Sequence, residues 1–417
     1  MTPSRKAVAI AMGLAVLAVL PPIPPWLPGA ALVALLTATV VDAIFARRKP
    51  QVQRTLSNTV ARGARTRLTI TATAPSASRV QIRQPRTPEL RVEPQEATGD
   101  LQAYLVGEHR GVHDLPAVAL RLTGPLGLGR WDHSACGTTT ITVFPDLPGA
   151  WRQAAARRQG KTAREEGRVR GPMGLGTDFE SIRDYSPDDD VRQINWQATS
   201  RLQQPMSNRY RIEQDRNLIC AIDTGRLMSA PVGLATRLDL SLDALAAVAV
   251  AAEEEGDRIG ALAFAGEILR MVNPCHHGSA RVVRTLFDLE VRMEESDFAL
   301  AFRTVAGRKR SLIVVFTDIM DDAASRSLLE SVPTLVRKHA VLVASVRGPD
   351  LARAVSRAPK RPLDAYAASV AVGLLDDRAR VISRLRRMGA MVAEAEPDRL
   401  GVACVAGYMT LKNRARL

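Results

Sequence analysis

Two uninterrupted apolar runs open the chain, Ala7 to Leu20 and Trp26 to Phe45, separated by Pro21-Pro22-Ile23-Pro24-Pro25. The second matches the ~20 residues that a membrane-spanning helix needs, and the first falls short of it. No A-x-A-like cleavage site closely follows the first run, and a second run comes at once. The pair therefore reads as a transmembrane helical hairpin over residues 1–50, not as a signal peptide. Arg5 and Lys6 precede the first run and Arg47, Arg48 and Lys49 follow the second, while the loop between them carries no charge. Basic residues favour the cytoplasmic side, so the pattern predicts a multi-pass anchor with both ends, and everything after Lys49, on that side. Asp42, a few residues from the basic end, is expected to be partly solvated there.

From residue 51 to 150 the pattern is short and extended. Arg67-Leu68-Thr69-Ile70-Thr71-Ala72 and Thr140-Ile141-Thr142-Val143 alternate, and Ala117 to Leu122 does so with small or polar residues against larger apolar ones. Such runs, broken by Pro, Gly and Ser clusters, predict a small β-sandwich. Gly124-Pro125-Leu126-Gly127-Leu128-Gly129 reads as a turn-rich connector, and His109, His113 and His133 as loop or surface residues. Residues 151–216 form a connecting segment. Its first part holds seven Arg or Lys between Arg152 and Arg170 against Glu165 and Glu166, a solvated linker or a strip drawn to anionic lipid.

Over residues 217–417 strands and helices alternate. Leu218 to Ile222, Ile259 to Phe264, Leu312 to Phe316 and Val341 to Val346 are continuous apolar runs, as expected of strands buried on both faces of a parallel sheet. Leu238, Leu242, Leu245 and Ala249 recur at helical spacing, as do Val282, Leu286 and Leu289, and two helices, Asp376 to Met388 and Pro397 to Leu411, are expected to close the chain. The fold class is therefore α+β multidomain, with an α/β doubly wound sheet at the end. The working edge of such a sheet lies at the carboxyl ends of its strands, where Asp223 and Asp318 fall.

Composition narrows the function classes. The 417 residues are 46% hydrophobic and 24% charged, the balance of a folded protein. The net charge of +14 suggests nucleic acid, but only 7 of the 57 basic residues are lysine and aromatics are 4%, so few stacking platforms exist and no nucleic acid is expected. Cys136, Cys220, Cys275 and Cys404 form no CxxC pair, which argues against a disulfide framework and a zinc ribbon. Cys275-His276-His277 reads as a plain loop. No Walker loop or G-x-S-x-G elbow occurs.

The densest chemistry lies in Phe179, Arg183, Tyr185, Asp189, Arg192, Ile194, Asn195, Trp196, Ser200 and Arg201. The arginines supply forked donors for carboxylates. The segment reads either as a salt-bridged clasp that packs Trp196 and Phe179, or as a docking surface. Ten typed positions at this spacing rarely coincide by chance. They resemble the signature of the bacterial domain of unknown function 58 proteins, and the likeness extends to the apolar N-terminus, Gly124–Leu128, Asp223–Met228 and Tyr408-Met409-Thr410-Leu411-Lys412. The resemblance implies a membrane-anchored chain whose last domain is von Willebrand factor A-like. It also implies a partner, a MoxR-type AAA+ ATPase, in assembling or remodelling membrane or envelope complexes.

Von Willebrand A domains often hold a divalent cation through D-x-S-x-S and a distant Asp. Here Gly225 and Leu227 stand at both serine positions of Asp223-Thr224-Gly225-Arg226-Leu227. A Mg²⁺ site on Asp223 and Asp318 is thus degenerate, with Arg226 placed to neutralise the carboxylates instead, and no other cofactor is expected. The sequence favours a non-enzymatic interaction or scaffold protein in contact with membrane lipid. The alternative is a membrane-associated metal-dependent enzyme, hydrolytic or acting on the cell wall, using the Asp223/Asp318 edge.

Overall fold

The computed structural model describes residues 2–18, 24, 26–146, 149, 178–186, 191, 194–211 and 216–414, the side chains of 178–181 and 209–211 excepted. The basic strip and the signature residues Asp189 and Arg192 lie outside the described residues, as does the Phe179 side chain. Two compact units divide the chain, Met1–Phe144 and Pro145–Leu417.

The first unit opens with β1 (Thr2–Pro3), α1 (Arg5–Leu17) and α2 (Trp26–Ala46). Only α2, with 21 residues, is long and apolar enough among the described residues to cross a membrane; α1 has 13. Strands follow: β2 (Gln51–Thr55), β3 (Thr59–Ala61), β4 (Thr66–Thr73), β5 (Arg79–Arg83), β6 (Leu90–Glu93), β7 (Glu96–Thr98), β8 (Leu101–Gly107), β9 (Gly111–Leu115), β10 (Val118–Thr123), β11 (Gly129–Ala135) and β12 (Thr139–Phe144). They form sheets ordered β1-β11-β10-β5-β7, β2-β4-β8-β6 and β3-β12-β9. Alternate residues point inward, so Leu68 and Ile70, Ile82 and Leu120, and Ile141 and Val143 bring all three sheets into one apolar core.

The helices are tied to this sandwich by the 124–129 turn. Asp42 on α2 is 1% exposed, which corrects the expectation of solvation at the interface. Its Oδ1 accepts from Leu126 N at 2.7 Å, and its Oδ2 from Leu128 N at 2.7 Å and Gly129 N at 2.8 Å. Successive N–H groups of a tight turn form a concavity suited to an anion. Glycine is required there: a Cβ at 129 would lie 2.6 Å from Thr39 O, and one at 124 would collide with Asp42. The other end of the helix pair meets the same turn, with Ser4 N donating to Leu128 O at 2.7 Å. His133 is a strand residue, its Nε2 2.9 Å from Ala46 O, and Arg47 lies over the Trp131 ring at 5.5 Å. His113 likewise lies in a strand, β9.

In the second unit β13 (Asp178–Asp184) pairs with β14 (Met206–Arg211), with α3 (Trp196–Leu202) between them in sequence. The remaining elements are β15 (Asn217–Asp223), β16 (Pro231–Val232), β17 (Ala235–Thr236), α4 (Arg237–Glu254), β18 (Arg258–Phe264), β19 (Ile268–Cys275), α5 (Ser279–Leu286), α6 (Phe298–Ala306), β20 (Leu312–Phe316), α7 (Arg326–Val336), β21 (Ala340–Val346), α8 (Pro349–Ser356), α9 (Pro362–Arg387), β22 (Met391–Ala395) and α10 (Leu400–Arg414). A six-stranded sheet runs β19-β18-β15-β20-β21-β22, and only β19 is antiparallel to its neighbour. Helices cover both faces. Phe298 and Phe302 of α6, Leu328 and Val332 of α7, and Val381 and Leu385 of α9 pack on Ile219, Ile313 and Val341. Side chains of opposite parity face α10, where Leu342 lies so close to Gly407 that an added Cβ would stand 2.9 Å from it.

At the amino edge of this sheet α10 is held by a buried charge cluster. Lys412 Nζ lies 2.9 Å from Asp257 Oδ1 and donates to the Glu255 carbonyl at 3.2 Å, and Tyr408 OH donates to Asp257 Oδ2 at 2.5 Å. Lys412 and Asp257 are both buried, so removing one partner strands the other away from water. Lys412→Met is expected to cost about 3–5 kcal/mol of stability, read by chemical denaturation of the purified full chain.

Candidate functional site

The carboxyl edge of the six-stranded sheet gathers the two sequence-predicted carboxylates. Asp223 ends β15 and Asp318 lies two residues past the end of β20. Asp223 Oδ1 accepts from Gly225 N at 2.8 Å and from Ser296 Oγ at 2.5 Å, and Oδ2 accepts from Thr317 Oγ1 at 2.7 Å. Burial raises its carboxyl above the ordinary range, and these three donors act against the rise. Ser296 arrives from the loop before α6, and its hydroxyl occupies the space that a side chain at Gly225 would fill. The oxygen missing from the loop after β15 is thus delivered from a position 73 residues away.

Asp318 is neutralised by arginines that the sequence did not single out. Its Oδ1 lies 2.5 Å from Arg237 at the start of α4 and 3.6 Å from Arg378 on α9, and accepts from Ser345 Oγ at 3.2 Å. Arg378 also pairs with Glu394 and donates to Ser345 Oγ at 2.9 Å and to the Val346 carbonyl at 2.8 Å. Burial raises the Asp318 carboxyl, with the two guanidiniums opposing it, and burial lowers Arg237. Arg226, expected to neutralise the edge, instead pairs with Glu295 at 2.6 Å in an exposed bridge. Nothing in local spacing marks Arg237 or Arg378, since they lie 81 and 60 positions from Asp318 and only the sheet topology brings them together.

These residues do not fit a divalent cation. Magnesium needs a near-octahedral shell of hard oxygens, yet both Asp223 oxygens hold donors and Asp318 Oδ1 holds a guanidinium. One oxygen, Asp318 Oδ2, is buried without a protein partner. A second positive ion beside Arg237 and Arg378 would be repelled, because unit charges at a few ångströms interact strongly in a low-dielectric interior. No group of three or more His, Cys, Asp or Glu suited to a metal occurs among the described residues. Cys275 closes β19, while His276 accepts from Arg258 at 3.0 Å and His277 lies 3.3 Å from Glu253.

The signature segment presents a different surface. Asn195 caps α3, its Oδ1 accepting from Ala198 N at 2.9 Å and its Nδ2 donating to Asn208 Oδ1 at 2.8 Å. Met206 N donates to Thr199 Oγ1 at 3.0 Å, and Ile194 bridges Ser207. The segment leaves Trp196 70% exposed, and Ile182, Val191 and Leu202 are exposed as well. Arg183 and Arg201 are exposed and Tyr185 is half-buried. Trp196 is thus an exposed side chain, while Phe179, Asp189 and Arg192, the other members of the clasp reading, lie outside the described side chains. The cap role of Asn195 was missed in the sequence, although an Asn just before a helix is a recognised signal for it, its side chain accepting from free N–H groups there.

Residues 181–353 match the family model described as "Protein of unknown function DUF58". That span contains most of the signature segment and both carboxylates of the edge. A search of curated proteins returns no match. Among solved structures, the sulfur carrier protein SoxY from Chlorobium limicola f thiosulfatophilum is similar at 13% identity with a TM-score of 0.15, over 26% of this chain and 97% of that one. A likeness so slight carries no argument.

Two outcomes test the edge. Arg378→Ala, which strips a buried partner from Asp318 and Glu394, is expected to cost about 3–5 kcal/mol. Arg226→Ala at the exposed pair should cost under about 1 kcal/mol, both read from denaturant midpoints. Calorimetric titration of the full chain with Mg²⁺ or Mn²⁺ to millimolar concentration should give no saturable heat; a saturable isotherm lost in Asp223→Ala would contradict the misfit.

Proposed function

We propose, from the match of residues 181–353 to the DUF58 family model, that the chain is a membrane-anchored, non-enzymatic interaction protein. The observation that carries this reading is the exposed Trp196. Large aromatics left in water are typical anchors of protein interfaces, and Trp196 starts a helix capped by Asn195 and tied to the start of β14 through Thr199.

The anchor is α2, paired with the shorter α1 as a hairpin whose basic ends, Arg5-Lys6 and Arg47-Arg48-Lys49, stay on the cytoplasmic side. The meeting of the start of α1 and the end of α2 at one turn supports that path. The sheet order, with aspartates at the carboxyl edge, supports a von Willebrand A-like domain in the second unit. By family resemblance the partner is a MoxR-type AAA+ ATPase, and the process is the assembly or remodelling of membrane or envelope complexes. A non-catalytic role is favoured because three of the four oxygens of the Asp223 and Asp318 carboxylates are engaged by donors of their own chain, and the fourth, Asp318 Oδ2, is buried beside two guanidiniums.

The test is capture of a MoxR-type ATPase by the full chain in native lipid with nucleotide present. Trp196→Ala should reduce capture at least about tenfold, a loss of about 1.4 kcal/mol or more. An exposed side chain contributes little to the fold, so stability should change by about 0.5 kcal/mol or less. Undiminished capture by Trp196→Ala would remove the docking role, and no capture by the unaltered chain would remove the ATPase.

A further inference from the structure

The turn that holds the helices has the properties of a surface made for lipid. Asp42 is four residues from the end of α2 and Thr39 is seven, placing them about 6 Å and 10 Å along the axis from that end. The 21 residues of α2 span about 31 Å, close to the ~30 Å thickness of a bilayer's hydrocarbon core. The head-group layer on each side adds about 5–8 Å. A turn packed against Thr39, Asp42 and Ala43 therefore lies at the level of the head groups or just inside the core whenever α2 spans.

Irregular backbone survives at that depth only where its polar groups are paired within the protein. Every backbone N–H of residues 124–129 meets this condition. Gly124 N donates to Gly129 O and Gly127 N to Gly124 O, each at 3.0 Å. Pro125 has no N–H, and Leu126, Leu128 and Gly129 donate to the Asp42 carboxylate. The carbonyls of Gly124 and Leu128 accept from Ser78 Oγ at 2.6 Å and Ser4 N at 2.7 Å. Meanwhile the tip is apolar and open: Leu126 is 64% exposed, and Val40, Val41, Ile44 and Phe45 of α2 are exposed at the same level. Arg47, Arg48 and Lys49 follow at once and suit anionic head groups.

We propose that the 124–129 turn is a membrane-interface contact, with Leu126 inserted among the lipids and Asp42 serving as the internal partner that lets the turn enter. The inference rests on the anchoring of α2 proposed above. It adds that the sandwich stands directly on the bilayer, fixed in depth by this turn.

The test uses the full chain in vesicles of phosphatidylcholine and phosphatidylglycerol, with Cys136 and Cys275 changed to serine and the buried Cys220 and Cys404 left in place. A bimane label on Leu126→Cys is compared with one on Leu234→Cys, an exposed leucine of the second unit. The expected result is blue-shifted emission at 126, most of it removed by lipids carrying a nitroxide near the head group, with neither effect at 234. Asp42→Ala should return the 126 label towards the emission it has in water. A water-like label at 126 on a chain that resists alkaline carbonate extraction overturns the inference and leaves the anchor standing. A chain that carbonate extracts overturns the anchor, and the inference with it.

Discussion

A carboxylate taken out of water costs several kcal/mol unless the fold supplies donors or cations in its place. Five described aspartates, Asp42, Asp223, Asp239, Asp257 and Asp318, are each 5% exposed or less. Asp239 is satisfied within its own helix cap by Thr236, and the architecture is organised around how the other four are satisfied. Asp42 is held by backbone N–H groups of one turn, Asp223 by two hydroxyls and one N–H, Asp257 by a lysine and a tyrosine, and Asp318 by two arginines and a serine. Each solution joins elements far apart in sequence. Asp42 ties the N-terminal helices to the sandwich, Asp257 ties the last helix to the sheet, and Asp318 ties α4 and α9 to β20. The charges are links between elements, and that use accounts for why so few of them remain free for chemistry.

The backbone plan was largely legible because it follows from apolar patterning. Leu218–Ile222 and Leu312–Phe316 are continuous runs because both faces of their strands are covered by helices. Strand β19 was not read. It is an edge strand with a proline and a bulged register, so its pattern is neither continuous nor cleanly alternating. Helix α9 was read only from Asp376, although it begins at Pro362; Leu363, Tyr366 and Val370 of its first turns recur at helical spacing but are exposed, and were passed over. The closing helix was placed within a few residues, its first turn being 3₁₀ over Pro397–Arg399.

The site was half legible. Asp223 and Asp318 declare themselves by ending buried strands, which is a local signal. Their partners do not, because Ser296, Arg237 and Arg378 are ordinary surface-type residues until the topology brings them to the same edge. The same holds for Asp42, whose partners are main-chain groups that carry no residue identity at all. Its glycine-rich turn was visible as a turn, but the reason for its glycines was not, since it lies in the close approach of another helix.

These observations bear on how the chain acts. A catalytic edge keeps at least one acid, base or metal ligand unsatisfied, so that substrate completes it. At the sheet edge the engagement is nearly complete, with two guanidiniums where a cation-binding domain would keep its ion and a serine filling the gap left by Gly225. Beyond the buried Asp318 Oδ2, the chain leaves apolar surface exposed, including Trp196 in one unit and Leu126 with the flank of α2 in the other. Unsatisfied apolar surface is relieved by association, with protein or with lipid, and not by bond making. Both surfaces suit the binding proposed above, the one held by neutral hydrogen bonds around Asn195 and Thr199 and the other by the buried Asp42 carboxylate.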